Sequence, residues 1–471
     1  MKRVKAERIA KYCGGTLKGP KDVFAEGVET DSRKAAAGSL FIGLKGENND
    51  GNLFAGQAYE NGCRIFMLSD EAAASALTQE HPDASVIFVE DTLIGMQQFA
   101  KNLIEDADIF RIAVTGSTGK TTTKEMLHCI FKSRYSTICN HENFNNHIGV
   151  PLTAFQIETD TEVGIFEMGM NHSGEIRVLA DIVRPQAAVI TNIGISHIGN
   201  LGSREAIMDA KMEVTEFMED EDYLLIYNAD DDMLQDLNGE DTDFDKVRVG
   251  LKGGKRGAVL SDIQDLGEDG VDFTLSYMRD SVRFHIPVPG KHNAWNAALA
   301  VICALRFGIS MRESVAALQK LQLTGNRLNI QESSAGIRVI NDAYNASPDS
   351  VRAGLDVLMS MKGDRKIAVL GDMFELGEDS DRYHKEIGQY AAEKNVDLLI
   401  AVGEASKNTA AAAAAGLGAD RVKEYADADA LNADAAGLFR KGDIVLVKGS
   451  HGMHMEKTAE FILETGAEQQ S

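Results

Sequence analysis

The sequence has few cysteines and no long uncharged apolar run. Its five cysteines are scattered over 471 residues and form no C-x-x-C pair, which points to a reducing cytosol rather than to disulfides. Nowhere do 18 uncharged apolar residues follow one another, and no apolar run follows the basic residues of the opening MKRVKAERIAKYCGG. We therefore expect neither a secretion signal nor a membrane span, and we expect a cytoplasmic protein.

Positive charge is also scarce. Lys and Arg number 48 against 72 Asp and Glu, which gives a formal net charge of -24. General nucleic-acid binding needs a basic face that displaces counterions from phosphates, so this balance argues against a nucleic-acid partner. The hydrophobic share of 44% is ordinary for a folded protein, and the length suits three domains at roughly 150 residues each.

A missing glycine marks the main motif, RIAVTGSTGKTTTKEMLHC, at residues 111–129. The familiar phosphate loop, G-x-x-x-x-G-K-[ST], would need glycine at the position of Val114. An apolar strand nevertheless runs into glycines and then into a helix, where backbone N–H groups, Lys120 and the Thr121 hydroxyl can hold phosphates and Mg²⁺. The alternative is an ordinary Gly-rich turn. The residues predicted to bind a nucleotide are Gly116, Ser117, Thr118, Gly119, Lys120, Thr121 and Thr122.

Short β-rich runs alternate with helical patterns after about residue 108, which predicts an α/β fold with a mostly parallel sheet covered on both faces. The alternation restarts near residue 337 and predicts a second α/β unit, with helices at about 348–361, 381–394 and 405–415. The first 90 residues have short strands and loops typical of a smaller α+β unit. The predicted strands are RIAVTG, EVGIFEMG, AAVITNIG, YLLIYNAD, IRVIND, KIAVLGD, DLLIAVGE and DIVLVKGS, with SVIFVED in the first unit.

Two candidate metal ligands follow predicted strands of the central unit. Glu167 ends one strand and His197 follows another, so both can reach the carboxyl edge of the sheet, where such folds bind ligands. Either residue alone is usually a solvated or satisfied side chain. Lys211 is a third candidate, although an isolated helical lysine is usually a surface residue. If it reacts with CO2, it becomes a carbamate anion that can bind a hard cation.

Three segments are rich in asparagine: NFNNHIGVP (143–151), PGKHNAWNAA (289–298) and NDAYNASP (341–348). Asn293 and Asn296 are three residues apart at the start of a predicted helix, so they share a face and could contact a base or a phosphate. A turn or a helix cap is the alternative for each asparagine taken singly.

The motifs together resemble the Mur ligase family of ATP-dependent amide ligases. TGSTGKTTTKE, NFNNHIGVP, EMGMNHSGEI, TNIGISHIG, KHNAWN, GNRLN and NDAYNASPDS occur in family order over nearly the whole chain. The resemblance implies three domains: a small α+β UDP-sugar-binding domain (1–90), a central ATPase (91–327) and a C-terminal Rossmann-like domain (328–471).

Two further segments bear on the substrate. TDSRKAAAGSLFIGLKGENNDGNLF is similar to the uridine-binding pattern of the two late ligases of the family, and LGDMFELGE is similar to the ligase that adds a D-alanyl-D-alanine dipeptide. The D-N-P-R motif of the diaminopimelate-adding ligase is absent. The resemblance thus implies a monomer that joins D-Ala-D-Ala to UDP-N-acetylmuramoyl-tripeptide, with lysine or diaminopimelate as the third residue. The alternatives are the ligase that adds the third amino acid, a folylpolyglutamate synthetase, and a nucleotide-binding protein without catalysis.

The resemblance also implies roles for individual residues. Lys120 would contact the ATP phosphates, and Thr121 and Glu167 would bind Mg²⁺. His197 and a carbamate formed on Lys211 would hold a second Mg²⁺. The expected catalytic residues are Lys120, His197, Lys211 and Arg327. The other implied contacts are Asn293 and Asn296 near the adenine, Arg327 near the terminal phosphates, Asp342 near the ribose, Ser32 and Arg33 on the uridine diphosphate, and Asn145 in the phosphate and acyl region.

The sequence departs from the family pattern at three positions. His451 stands where the family usually has arginine, and histidine is shorter and mostly neutral at pH 7. Asn341 and Ser347 stand where other members often have Asp and Asn, whereas Asp342 is retained.

Overall fold

Three large sheets follow one another along the chain, and a fourth sheet is a short antiparallel pair of strands near the N-terminus. The computed structural model describes residues 1–141, 143–237, 242–253, 257–323, 328–435 and 437–468. Within these ranges, no helix is both long and apolar enough to cross a membrane.

The N-terminal unit contains a sheet in the order β2-β7-β6-β5-β4, in which β4 to β7 are parallel and β2 is antiparallel. Its last helix is capped by Asp91, whose carboxylate accepts hydrogen bonds from the backbone N–H groups of Leu93 and Ile94. That helix buries Met96, Phe99 and other apolar residues in a core shared with the central unit. The elements are β1 Val4–Lys5, α1 Ala6–Cys13, β2 Thr16–Lys18, β3 Phe24–Ala25, β4 Gly27–Glu29, β5 Ser39–Ile42, α2 Ala55–Glu60, β6 Ile65–Leu68, α3 Glu71–Glu80, β7 Ser85–Phe88 and α4 Thr92–Glu105.

The central unit contains a larger mixed sheet in the order β16-β15-β14-β13-β12-β11-β8-β10-β9. The elements are β8 Phe110–Thr115, α5 Lys120–Lys132, β9 Thr137–Cys139, α6 Gly149–Ala154, β10 Val163–Glu167, α7 Glu175–Val183, β11 Ala187–Ile190, α8 Ile198–Leu201, α9 Arg204–Met212, β12 Leu224–Asn228, β13 Asp245–Gly250, β14 Ala258–Asp265, β15 Val271–Tyr277, β16 Asp280–Ile286, α10 His292–Arg306 and α11 Met311–Leu318. All the strands from β8 to β14 pair in parallel with their neighbours among these strands. Strands β15 and β16 extend the sheet beyond β14 as an antiparallel hairpin.

Both faces of the central sheet are covered, which explains its continuous apolar strands. Successive residues of a strand point to opposite faces. In β8, Ile112 and Val114 lie in the core under α5 and α10, whereas Ala113 lies in the core under α4 and α7. Strand β8 lies between β10 and β11 in the sheet. The order of the strands reverses at this point, because β9 and β10 lie on one side of β8 and β11 to β14 lie on the other. The carboxyl ends of these three strands therefore meet at the switch point of the sheet, where open α/β folds bind ligands.

The C-terminal unit contains a third sheet in the order β17-β18-β22-β19-β20-β21. All its strand pairs are parallel except the edge pair β17–β18. Helices cover both faces of the sheet, over two separate apolar cores. The elements are β17 Asn329–Glu332, β18 Arg338–Asn341, α12 Pro348–Ser360, β19 Arg365–Gly371, α13 Ser380–Glu393, β20 Leu398–Val402, α14 Lys407–Leu417, β21 Val422–Tyr425, α15 Ala428–Asp434, β22 Asp443–Lys448 and α16 Glu456–Glu468.

The structure confirms the α/β fold class and the strands and helices predicted from the sequence. The sequence analysis did not identify the hairpin β15–β16, although Val271, Phe273 and Leu275 are buried and alternate with more exposed residues, as expected for such a strand. The domain boundaries near 90 and 327 remain predictions.

Candidate functional site

The phosphate loop connects β8 to α5 and is anchored to the end of β11. The carboxamide oxygen of Asn192 accepts a hydrogen bond from the backbone N–H of Thr118 at 3.0 Å, and the Thr191 hydroxyl donates to the carbonyl of Thr118 at 2.6 Å. The ammonium of Lys120 donates to the carbonyl of Gly116 at 2.8 Å and to that of Ser117 at 3.2 Å. The lysine charge is thereby held over the loop at the N-terminus of α5, where an anion is also stabilised by the helix.

The loop needs glycine at position 116, and this requirement can be tested. Gly116 has a φ of 143°, and an added Cβ would overlap the Thr191 hydroxyl oxygen. A strained backbone of this kind costs about 1–3 kcal/mol, so we expect Gly116→Ala to weaken nucleotide binding about tenfold or more, measured by calorimetry. Gly56→Ala is the matched control, because Gly56 lies in α2 and an added Cβ there has no neighbour within 4 Å. Wild-type nucleotide affinity in Gly116→Ala would contradict this role of the loop.

Glu167 ends β10 with a fully buried carboxylate that touches the first turn of α5. One carboxylate oxygen accepts a hydrogen bond from the Thr121 hydroxyl at 2.8 Å, and the other accepts one from the Asn145 carboxamide at 2.8 Å. A hydroxyl next to a carboxylate at a phosphate loop is a donor set that suits Mg²⁺. The described residues contain no group of three or more His, Cys, Asp or Glu side chains placed to hold a metal, so the fit rests on this pair.

Lys211, in α9, is a buried lysine that lines the same cleft as Glu167, with only 2% of its surface exposed. Burial lowers the pKa of Lys211 well below its ordinary value, and the nearby positive charge of Lys120 lowers it further. The amine of Lys211 is therefore neutral at a lower pH than that of a surface lysine.

His197 also lines the cleft, and its nearest charged neighbour comes from the C-terminal unit. Its Nδ1 atom is buried and lies in contact with the carboxylate of Glu375. Asp342, from the C-terminal unit, also lines the cleft and forms an ion pair of 2.5 Å with Lys448. Lys448 also donates to the carbonyl of Asn345 at 2.9 Å.

The two asparagines at the start of α10 have different positions. Asn296 lines the cleft, and an added Cβ on Gly119 would lie 2.7 Å from its Oδ1 atom. Asn293 is buried behind it and accepts a hydrogen bond of 2.9 Å from the Asn296 carboxamide. Asn293 therefore orients Asn296, while Asn296 can contact a ligand.

Two of the remaining predicted residues do not join this cluster. Ser32 is buried in the N-terminal unit and donates a hydrogen bond of 2.7 Å to Gln57, whereas Arg33 is exposed and pairs with Asp31. Arg327 lies outside the described residues.

The phosphate loop, Glu167 and Lys211 open into one cleft between the central and C-terminal units, with a volume of about 870 Å³. Such an arrangement can hold a polyphosphate and a divalent cation on one side and a second reactant on the other. The sequence analysis did not identify several residues of this cleft: Trp295, Asp230, Tyr344, Phe374, Glu375 and Lys448. Trp295 lies within the KHNAWN motif, and its indole N–H donates to Asp230 at 2.8 Å.

Comparison with known proteins identifies the class of protein. Three family descriptions match the chain: "Mur ligase family, catalytic domain" at residues 25–102, "Mur ligase middle domain" at 114–304, and "Mur ligase, glutamate ligase domain" at 326–451. The chain therefore belongs to the Mur ligase family, as the motifs predicted.

Two similar proteins share one name. The UDP-N-acetylmuramoyl-tripeptide--D-alanyl-D-alanine ligase of Bacillus subtilis (strain 168) is 38% identical over 462 residues, which are 98% of each chain. The ligase of the same name from Treponema pallidum (strain Nichols) is 32% identical over 92% of each chain. A crystal structure of MurF from Acinetobacter baumannii aligns with a TM-score of 0.88 at 29% identity, over 98% of this chain and 99% of that one.

Proposed function

We propose that this protein is an ATP-dependent ligase that joins D-Ala-D-Ala to UDP-N-acetylmuramoyl-tripeptide and releases ADP and phosphate, in cytoplasmic synthesis of peptidoglycan precursors. The observation that carries the proposal is the single cleft into which the phosphate loop, Glu167 and Lys211 open, opposite residues of the C-terminal unit. The names of the relatives, which align over nearly their whole length, support the choice of substrates.

ATP binds across the cleft in this proposal. The loop from Gly116 to Thr122 holds the phosphates through backbone N–H groups and Lys120, and Asn296, oriented by Asn293, lies beside the adenine. Asp342 contacts the ribose from the C-terminal unit, and Arg327 contacts the terminal phosphates. The cleft geometry supports these placements, because Asn296, Asp342 and most residues of the loop line the cleft.

Two Mg²⁺ ions would be held on the loop side of the cleft. Thr121 and Glu167 would hold the first, and His197 and a Lys211 carbamate would hold the second. When bound, Mg²⁺ neutralises charge on the phosphates during transfer. The 2.8 Å contact between Thr121 and Glu167 supports the first assignment, since it already places a hydroxyl and a carboxylate together.

A carbamate forms when the neutral amine of Lys211 attacks CO2, which makes an N–C bond and releases one proton to water. The native mass of the wild-type enzyme should then include one CO2 that Lys211→Met lacks. CO2-free buffer should reduce activity at least about tenfold, the loss typical even of residues that only support a metal ligand, and bicarbonate should restore it. Since only the neutral amine reacts, restoration at a fixed concentration of dissolved CO2 should become faster as the pH rises toward the lowered pKa of Lys211.

Lys101→Met is the control for the carbamate. Lys101 lies in α4, away from the cleft, and pairs with Asp181 at 2.7 Å. The native mass of this variant should still include one CO2, and its activity should still be restored by bicarbonate. Activity that is insensitive to CO2, together with an unmodified Lys211, would refute the carbamate.

The reaction proceeds in two steps. The terminal carboxylate of the tripeptide attacks the γ-phosphorus of ATP, which forms an acyl phosphate and expels ADP. The free amine of D-Ala-D-Ala then attacks the acyl carbon, passes through a tetrahedral intermediate and expels phosphate. Lys120 and Arg327 offset the charge that develops on the phosphoryl group, and the C-terminal unit excludes water that would hydrolyse the acyl phosphate.

The acyl substrate spans two units in this proposal. Ser32 and Arg33 bind the uridine diphosphate in a domain of residues 1–90, and Asn145 lies beside the reacting carboxylate in the domain of residues 91–327. The contact of Asn145 with Glu167 supports its place at the reaction centre. The domain of residues 328–471 closes over both reactants, and one chain carries the complete site as a monomer.

Omission of single substrates tests the function. ADP and phosphate release should require Mg-ATP, UDP-N-acetylmuramoyl-tripeptide and D-Ala-D-Ala together, and it should fall to background when either co-substrate is left out. Turnover with a dipeptide acceptor and a single free amino acid would instead assign the protein to the ligase that adds the third residue. No turnover with either pair would support a nucleotide-binding protein without catalysis.

A further inference from the structure

Two loops that face each other join the central and C-terminal units beside the cleft. The first, residues 194–201, follows β11 and carries His197; we term it the docking loop. The second, residues 372–378, follows β19 and carries Glu375; we term it the facing loop. The backbone N–H of Gly199 donates a hydrogen bond of 2.9 Å to the carbonyl of Glu375. An added Cβ on Gly199 would lie 2.6 Å from the backbone nitrogen of Gly377, so the two chains are in direct contact.

Further apolar and polar contacts strengthen this junction. Ile195 and Ile198 of the docking loop pack against the apolar core of the C-terminal unit. The backbone N–H of Ile195 also donates to the carboxylate of Asp349, at the start of α12, at 3.3 Å. The docking loop thus belongs to the central unit by sequence, and its apolar residues pack against the cores of both the central and the C-terminal units.

His197 and Glu375 meet at the middle of this junction. Both residues have a φ of 63°, in the left-handed region of backbone conformation that residues other than glycine rarely adopt. Sparsely populated backbone conformations persist where the surroundings impose them, and they concentrate at functional sites. The buried Nδ1 atom of His197 lies against the Glu375 carboxylate, and it makes no hydrogen bond of regular geometry to any residue that the structure describes.

We propose that Glu375 is a positioning residue for His197. Its carboxylate accepts the proton of Nδ1, which leaves the lone pair on Nε2 available to the second cation, the one assigned above to His197 and Lys211. Histidines that bind metals almost always donate their other ring N–H to such a partner. Since Glu375 belongs to the C-terminal unit, docking of that unit completes the cation site. This inference rests on the proposed function, which makes His197 a metal ligand.

The test compares Glu375→Ala with Glu378→Ala in the full-length protein. Glu378 lies in the facing loop, three residues further on, and is also exposed, so its replacement removes the same charge without touching His197. Binding of Mn²⁺ in the presence of ADP, followed by electron paramagnetic resonance, measures cation affinity without turnover. We expect Glu375→Ala to bind Mn²⁺ at least about tenfold more weakly, as is typical for the loss of such a partner, and Glu378→Ala to bind it as the wild type does.

A second measurement separates positioning from loss of structure. In turnover assays, Glu375→Ala should need about tenfold more Mg²⁺ for half-maximal activity, and saturating Mg²⁺ should recover most of kcat. Glu375→Gln keeps an acceptor oxygen and should fall between Glu375→Ala and the wild type. Wild-type Mn²⁺ affinity in Glu375→Ala would overturn the inference while leaving the ligase function intact. A wild-type enzyme without turnover would refute the function itself, and the inference with it.

Discussion

Replacing Lys120 with alanine should reduce ADP and phosphate release about 10²–10³-fold with all substrates present, the loss typical when one preorganised donor to a developing charge is removed. Lys120 is the first residue of α5, and its ammonium lies over the phosphate loop. It donates hydrogen bonds to the carbonyls of Gly116 and Ser117 in that loop. During transfer, charge spreads over the oxygens of the γ-phosphoryl group, and this ammonium is the nearest cation of the loop to offset it.

The control for Lys120→Ala is Lys132→Ala. Lys132 is the last residue of the same helix and is exposed, so its removal changes the net charge equally without approaching the loop. This variant should keep wild-type kcat and KM. If Lys120→Ala retained more than about a tenth of wild-type turnover, the phosphate loop would not be the site of phosphoryl transfer.

The second large effect is expected for Glu167→Gln. Both oxygens of the Glu167 carboxylate accept hydrogen bonds, from Thr121 and from Asn145. A glutamine amide group must turn its NH2 toward one of these donors, which breaks one contact and removes the negative charge that Mg²⁺ requires. We expect kcat to fall about 10²–10³-fold, as for other losses of charge stabilisation at a reacting phosphoryl group.

Glu167→Gln should not unfold the protein. A fully buried carboxylate destabilises a fold unless its charge is offset, so its neutralisation compensates for the lost hydrogen bond. The melting temperature without Mg²⁺ should therefore stay within about 2–4 °C of the wild type, the shift that corresponds to 1 kcal/mol in domains of this size. A large fall in melting temperature together with unchanged kcat would assign Glu167 a structural role instead.

The fold could be predicted from the sequence largely because of burial. The strands of the central and C-terminal sheets are covered on both faces, so they read as short continuous apolar runs between glycines and helices. The loop residues and Glu167 could be predicted for the same reason, since they directly follow or end such strands.

The contacts across the cleft could not be predicted in this way. Trp295 and Asp230 are 65 positions apart, and Lys448 and Asp342 are 106 apart. The partner of His197 belongs to another unit. Such pairs depend on how helices and units pack together. Neither the hydrophobic periodicity of a segment nor the spacing within a motif encodes that packing. Asn293 and Asn296 are equivalent in the sequence pattern, and only the structure shows that Asn296 lines the cleft whereas Asn293 does not.

The most direct test of the ligase proposal follows an oxygen atom. UDP-N-acetylmuramoyl-tripeptide labelled with ¹⁸O in its terminal carboxylate is incubated with the protein, Mg-ATP and D-Ala-D-Ala, and the product and the phosphate are analysed by mass spectrometry. An acyl phosphate requires that one carboxylate oxygen leave with phosphate, so we predict labelled phosphate in a one-to-one ratio to a product heavier by the dipeptide less water. Unlabelled phosphate, or ADP formed without the amide product, would contradict the account.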